Sequence, residues 1–204
     1  MKVSEALKSR LSANMFDTKA ELSREQITEL VELATQAPSS FNSQNWHVIA
    51  ITDSEVRKKI RAAAWDQAKV TESAVLFAVL GNTNVVEKLP ESMDLAIKAD
   101  VIGSDIKQWF LENAEKFYEG KDELSRDEAI RSASYLAMSL MLAGEEKGYG
   151  SGPMIGFDSA EVSKILNIPD NYVLTLLLSM GPLAAAGNWN RKPRRKNIIS
   201  FNTF

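Results

Sequence analysis

Two stretches of this chain carry side chains suited to holding a polar ligand, and neither carries an obvious catalyst. The first, APSSFNSQNW at 37–46, sets Ser39, Ser40, Asn42, Ser43 and Gln44 around Pro38. Their hydroxyls and amides donate and accept hydrogen bonds, but none is a strong nucleophile or a fixed charge. Such a loop suits a planar ligand with polar edges. The same composition also makes an ordinary turn, because Pro, Ser and Asn are the residues turns favour. The second, RKPRRK at 191–196, gathers five of the chain's 24 basic residues. A guanidinium fork can bind two phosphate oxygens at once, so this stretch suits a phosphate. Read on its own it is equally a solvated basic tail or a weak nucleic-acid patch.

What is missing narrows the chemistry further. There is no cysteine, which removes disulfides, thiolate metal sites, Fe–S clusters and thiol catalysis together. The single histidine, His47, precedes an apolar run and reads as a structural residue at a strand edge. A zinc site needs several His, Cys or carboxylate ligands, and a Ser–His–Asp triad would have to be built on this one imidazole. No metal is expected. The net charge of −3 offers no field that would attract nucleic acid or an anionic membrane, so neither is expected as a partner. At 204 residues, 45% apolar and 25% charged, the chain reads as one globular domain over 1–204. Its first residues scatter charge through what would be a secretory core, so a soluble, cytoplasmic protein is expected. The charge-free run 171–190 is broken by Gly181-Pro182 and reads as strand plus loop, not as a membrane span.

The elements that must position these residues can be sketched from periodicity. Residues 3–13 read as a short helix. Ser23-Arg24-Glu25-Gln26 has capping-box spacing and opens a helix that Pro38 ends. A strand is expected at 47–52, a helix at 54–69, and a strand buried on both faces at 74–80. One or two helices follow at 90–119, with a break near Gly103-Ser104. A second capping box at Ser125-Arg126-Asp127-Glu128 opens a helix running to about Lys147, apolar nearly all round and therefore buried. Asp158 caps a further helix through Glu161. A strand follows at 172–180, and 198–201 reads as a short terminal strand. Residues 150–158, GSGPMIGFD, read as a helix-initiating loop. Regular βαβ alternation is absent and no G-x-G-x-x-G follows a strand, so an α+β layered fold is expected over a Rossmann sheet.

Four segments taken in order carry a resemblance. APSSFNSQNW followed by HVIAIT is similar to the signature of the nitroreductase family, FMN-dependent oxidoreductases that use NADH or NADPH. Arg10-Leu11-Ser12-Ala13-Asn14-Met15-Phe16 resembles that family's Arg-x-Ser-x-x-x-Phe segment. Gly148 to Asp158 resembles its Gly-rich loop, and Lys192-Pro193-Arg194 its Lys-x-Arg tail. The resemblance runs from about residue 4 to about residue 200. It implies a three-layer fold, with a central, mostly antiparallel sheet flanked by helices, in an intertwined homodimer.

The resemblance also implies roles. Arg10, Lys192 and Arg194 would surround the FMN phosphate, with Leu11 and Ser12 beside them. Asn14 stands where many relatives carry a cation against the flavin N1–O2 edge. Gln67, with Lys69 second, would meet the pyrimidine ring. Pro153, Met154, Ile155 and Gly156 would pass over the flavin with the Ile155 N–H toward N5. Pro38, Ser39, Ser40 and Asn42 would come from the second subunit. Phe41 would line the substrate channel, completed by Trp109 or Phe110, although aromatics at the last two positions read equally well as core. The implied activity is hydride transfer from NAD(P)H through flavin N5 to a nitroaromatic, quinone or similar acceptor in a ping-pong cycle, with no catalytic side chain. An FMN store or sensor without turnover would use the same motifs, and a helical interaction protein is the third alternative.

Overall fold

The protein is described by a computed structural model covering residues 1–196 and 198–204. Its centre is β2 (Val75–Asn82), the uninterrupted apolar run, in which every residue is buried. The sheet is four-stranded and antiparallel throughout, in the order β1-β2-β4-β3, with β1 at Trp46–Ile51, β3 at Gly150–Met154 and β4 at Tyr172–Gly181. Alternate β2 side chains enter opposite cores, as the two-residue period of a strand requires. Val75, Phe77 and Val79 pack with α2 (Arg24–Ala34) and the long helix α7 (Asp122–Glu146). Leu76, Ala78 and Leu80 pack with α3 (Ser54–Ala63), the single turn α4 (Lys69–Glu72) and α8 (Ser159–Leu166). The result is three layers, helix–sheet–helix.

Helix starts follow local chemistry where a polar side chain can catch a free N–H. Ser23 Oγ accepts from the Gln26 N–H at 3.2 Å, and Gln26 Oε1 accepts from the Ser23 N–H at 2.8 Å. Asp53 and Asp158 cap α3 and α8 one way, accepting from the Val56 and Glu161 N–H groups. The remaining helices, α1 (Val3–Ser9), α5 (Leu89–Lys98) and α6 (Ser104–Tyr118), lie at the periphery. The break expected near Gly103 separates α5 from α6, and the two enclose a small core of Leu89, Met93 and Ala114.

Six expectations are corrected. The first helix stops at Ser9, not 13, because the following residues are drawn into the sheet. Ser12 bridges Ser151, and the Ala13 N–H donates to the Ser151 carbonyl at 2.9 Å. The helix expected at 54–69 ends at Ala63, where Trp65 and Asp66 turn left-handed with φ of 52° and 54° and Asp66 pairs with Arg61 at 2.7 Å. Helix α7 begins at Asp122, one turn before the supposed capping box; the Ser125 N–H already donates to Lys121. Residues 150–154 form an edge strand, β3, rather than a loop. Its two glycines and Pro153 hide it from propensity, and an edge position is where proline is tolerated. The terminal strand expected at 198–201 is not formed within the chain: Ile198, Ile199 and Phe201 are all exposed. The face of α7 carrying Tyr135 is likewise open, so this helix is not buried all round within one chain. No helix among the described residues is long and apolar enough to cross a membrane.

The α7 helix lies close on the sheet at two glycines. A Cβ on Gly81 would run into the Ala129 carbonyl, and one on Gly144 would meet Met180 Cε at 2.7 Å. Gly81→Ala must therefore lift α7 from β2. Overpacking of this kind typically costs about 1–3 kcal/mol, and urea unfolding should place the variant near the upper end. Ser134→Ala on the exposed side of α7 should leave the midpoint unchanged.

Candidate functional site

The N-terminal segment and the basic tail meet over β3. Asn188 joins them: its Oδ1 accepts from the Asn14 and Met15 N–H groups at 2.9 and 3.0 Å, and its Nδ2 donates to the Met15 carbonyl at 2.7 Å. Nothing in the sequence marks this asparagine, since its role depends on a contact 173 residues away. Between the joined segments lies a cleft of about 270 Å³ lined by Leu11, Ser12, Asn14, Trp189, Asn190, Arg191, Lys192 and Arg194. Three cations and no carboxylate line it. Burial lowers the Arg10 guanidinium below its ordinary value; Arg194 acts in the same direction, Glu145 opposes, and Arg191 lowers it again. Arg10 itself is not among the residues that line the cleft; its guanidinium donates to the Leu11 carbonyl at 3.0 Å. The Lys192 ammonium rests over the Trp189 ring at 5.1 Å, and Arg195 is exposed.

The floor of this region is close-packed. A Cβ on Gly152 would collide with the Ala13 carbonyl, so only glycine lets β3 pass beneath the 12–14 segment. Ser151 Oγ, one bridge away at Ser12, is buried with no hydrogen-bond partner among the described residues. Lys69 reaches in from α4 and places its Nζ 3.4 Å from Asn14 Oδ1, with burial lowering its ammonium. Gln67 donates to the Ala64 carbonyl at 3.1 Å and to the Gly156 carbonyl at 2.7 Å, so its amide nitrogen holds the loop after β3, while Oε1 has no hydrogen-bond partner among the described residues. That loop carries Ile155, 81% exposed, whose N–H finds no backbone partner among the described residues. Met154, buried at the end of β3, anchors it, while Pro153 pairs with Leu178. Trp65 lies against Gly156 with its ring exposed, an aromatic wall that the sequence did not suggest.

Pro38, Ser39, Ser40 and Asn42 are not brought to this cleft. Helix α7 measures the separation: Glu128, near its start, accepts from the Ser40 N–H, and Glu145, near its end, acts on Arg10. Seventeen residues at 1.5 Å rise make this about 25 Å. Within the loop, Phe41, Asn42 and Gln44 all have left-handed backbones, with φ of 54°, 54° and 48°. Such conformations cost non-glycine residues roughly 1–3 kcal/mol each and cluster at functional sites. Phe41 packs on Phe117 and Tyr118, with centroids 6.0 and 6.3 Å apart. Those two aromatics, unmarked in the sequence, are its nearest ring neighbours. Burial raises the Tyr118 phenol; its bond to Ser40 opposes, Glu128 raises and Arg131 lowers. Phe110 belongs to the small α5–α6 core, while Trp109 stands edge-on to it at 5.2 Å and is largely exposed. Among the described residues no cluster of His, Cys, Asp or Glu could hold a metal ion.

The family model described as "Nitroreductase family" matches residues 7–182. A Bacillus subtilis (strain 168) protein, YodC, named as a candidate NAD(P)H nitroreductase, is 34% identical over 94% of this chain and 95% of its own. A crystal structure of a candidate nitroreductase in complex with FMN, from Exiguobacterium sibiricum, superposes with a TM-score of 0.91 at 25% identity, covering 99% of this chain and 98% of that one. A candidate NAD(P)H:FMN oxidoreductase from Staphylococcus epidermidis gives a TM-score of 0.91 at 27% identity, covering 98% and 95%.

The cationic cleft makes a prediction that needs no cofactor. Arg10→Ala, or Lys192→Ala with Arg194→Ala, should weaken binding of a phosphomonoester at least tenfold by calorimetry. Exposed cations contribute little to folding, so the melting temperature of the double variant should stay within about 2 °C. Equal affinity in wild type and both variants would remove the cleft as an anion site.

Proposed function

The chain belongs to the nitroreductase family, and on that footing we propose that it is an FMN-dependent oxidoreductase taking electrons from NADH or NADPH and delivering them to a nitroaromatic, quinone or similar acceptor. The observation that carries this is the anion cleft at the joined N- and C-terminal segments, beside an exposed backbone loop over which a flat ring can lie. When bound, FMN supplies the redox chemistry, accepting a hydride at N5 and passing electrons on. The protein binds, orients and tunes.

Arg10, Lys192 and Arg194 hold the phosphate by charge-assisted hydrogen bonds, with the Ser12 hydroxyl and the Leu11 segment beside them. Asn14 gives the N1–O2 edge a neutral amide, and Lys69, touching that amide, adds the positive charge. Gln67 Oε1 accepts from the pyrimidine N–H. The Pro153–Met154–Ile155–Gly156 backbone supplies a donor near N5 at the Ile155 N–H. No side-chain acid or base is required, in keeping with one histidine and no cysteine.

The second half of each site comes from a second copy of the chain in a homodimer, which contributes Pro38, Ser39, Ser40, Asn42 and the Phe41 wall, with Trp109 at its rim. The 25 Å span of α7 supports this, because one chain cannot bring its own loop to its own cleft. The exposed apolar tail, Ile198, Ile199, Phe201 and Phe204, and the open Tyr135 face of α7 need cover that a second chain provides.

Purified protein should carry a flavin absorption band that NADH or NADPH bleaches and an added quinone restores. Uptake of FMN without bleaching by either nicotinamide would mark a store instead. Sedimentation at micromolar concentration should give a dimer; a folded, FMN-loaded monomer would exclude the shared site.

Lys69→Met should lower the flavin midpoint potential. Unit charges 4 Å apart interact by about 4 kcal/mol at an effective dielectric of 20. Loss of about a third of that corresponds to roughly 30 mV for a two-electron couple. Potentiometric titration decides, and an unchanged potential would take Lys69 away from the flavin edge. Asn14→Lys should then raise the potential by less than that amount, since Lys69 already occupies the place.

A further inference from the structure

The strained loop is held by a buried carboxylate. Glu128 is 4% exposed on the inner side of α7. Its Oε1 accepts from the Ser40 N–H at 3.2 Å and from the Ser132 hydroxyl at 2.7 Å, and its Oε2 pairs with Arg131. From α6 the Tyr118 hydroxyl donates to Ser40 Oγ at 2.7 Å. Ser40 is therefore gripped twice, through its backbone by α7 and through its side chain by α6. The loop closes on itself where the Gln44 N–H donates to Ser39 Oγ at 2.9 Å. Between these anchors lie the left-handed Phe41 and Asn42.

Burying a carboxylate is an inefficient way to stabilise a fold, because an apolar side chain of similar volume often does as well or better. What an apolar side chain cannot do is accept a backbone N–H. Arg131, on the outer side, balances the charge.

We propose that Glu128 is a positioning residue that sets the conformation of loop 39–44, and through it the affinity for the flavin and the placement of the Phe41 wall. The effect on flavin rests on the assignment above of this loop to the partner's FMN site. Release of the Ser40 N–H removes the hydrogen bond by which α7 opposes relaxation of the left-handed residues. Ser39 and Asn42 then turn away from the directions in which they meet a ligand, and Phe41 leaves Phe117 and Tyr118.

Three variants of the full chain test this. Glu128→Gln keeps an oxygen acceptor for the Ser40 N–H; Glu128→Leu removes it; Glu128→Asp keeps the charge but shortens the reach. Amide hydrogen exchange at 40–44, measured without FMN, should speed at least tenfold in Leu and Asp and stay within threefold of wild type in Gln. The FMN dissociation constant should rise at least tenfold in Leu and Asp, about 1.4 kcal/mol, and stay within threefold in Gln. KM for a two-ring quinone should rise in the same two variants while kcat holds within about twofold. Loop exchange and FMN affinity within twofold of wild type in Leu would overturn the proposal. If Leu does not fold, Asp behaving like Gln would overturn it equally. A merely structural carboxylate would lower the melting temperature of Leu and leave the Gln–Asp difference absent. Wild-type protein that takes up no FMN counts against the cofactor assignment alone, and the exchange measurement still decides the clamp.

Discussion

The close seat of α7 on the sheet is the constraint from which the rest follows. Backbone touches backbone at Gly81 and Ala129, and at the far end Gly144 admits Met180. Close packing of this sort has no slack, so a helix fixed at both ends transmits position along its whole length. It sets Glu128 beside loop 38–44 and Glu145 beside Arg10. Both halves of the proposed site are thus referenced to one rigid element.

At the other end, order comes from polar joinery. Asn188 ties the tail to the 14–15 backbone with three hydrogen bonds, and Ser12 and Ala13 are stitched to β3. Three cations are held around a cleft without a carboxylate among its lining residues. On the proposed reading, these cations are the charge that a phosphate would meet.

Where local chemistry decides, the sequence was legible. The apolar run of β2, the Ser23–Gln26 reciprocal cap and the polar loop after Pro38 each depend on residues a few positions apart. So did the break at Gly103. Where long-range pairing decides, it was not. Strand β3 reads as a loop because glycine and proline have little strand propensity, and only its ladder to β4 makes it a strand. Glu128 resembled half of a capping box because its spacing to Ser125 is right; its side chain is turned inward by a backbone N–H 88 residues away. Trp65, Phe117 and Tyr118 carried no signal, since an aromatic within a stretch that reads as helix is most simply core. Residues 198–201 have the composition of a strand but find no ladder within their own chain.

The length of α7 also has a genetic meaning. A chain that presents a cleft at one end of this helix and a loop at the other carries two unlike half-sites, so a two-fold pair built on the proposed sharing assembles two whole ones. Consider one copy damaged at Arg10 and another damaged in loop 38–44, each inactive when paired with itself. In the mixed pair one pocket collects both lesions and the other collects neither. Two null alleles would then restore each other in a single cell, through geometry alone, to at most half of full output.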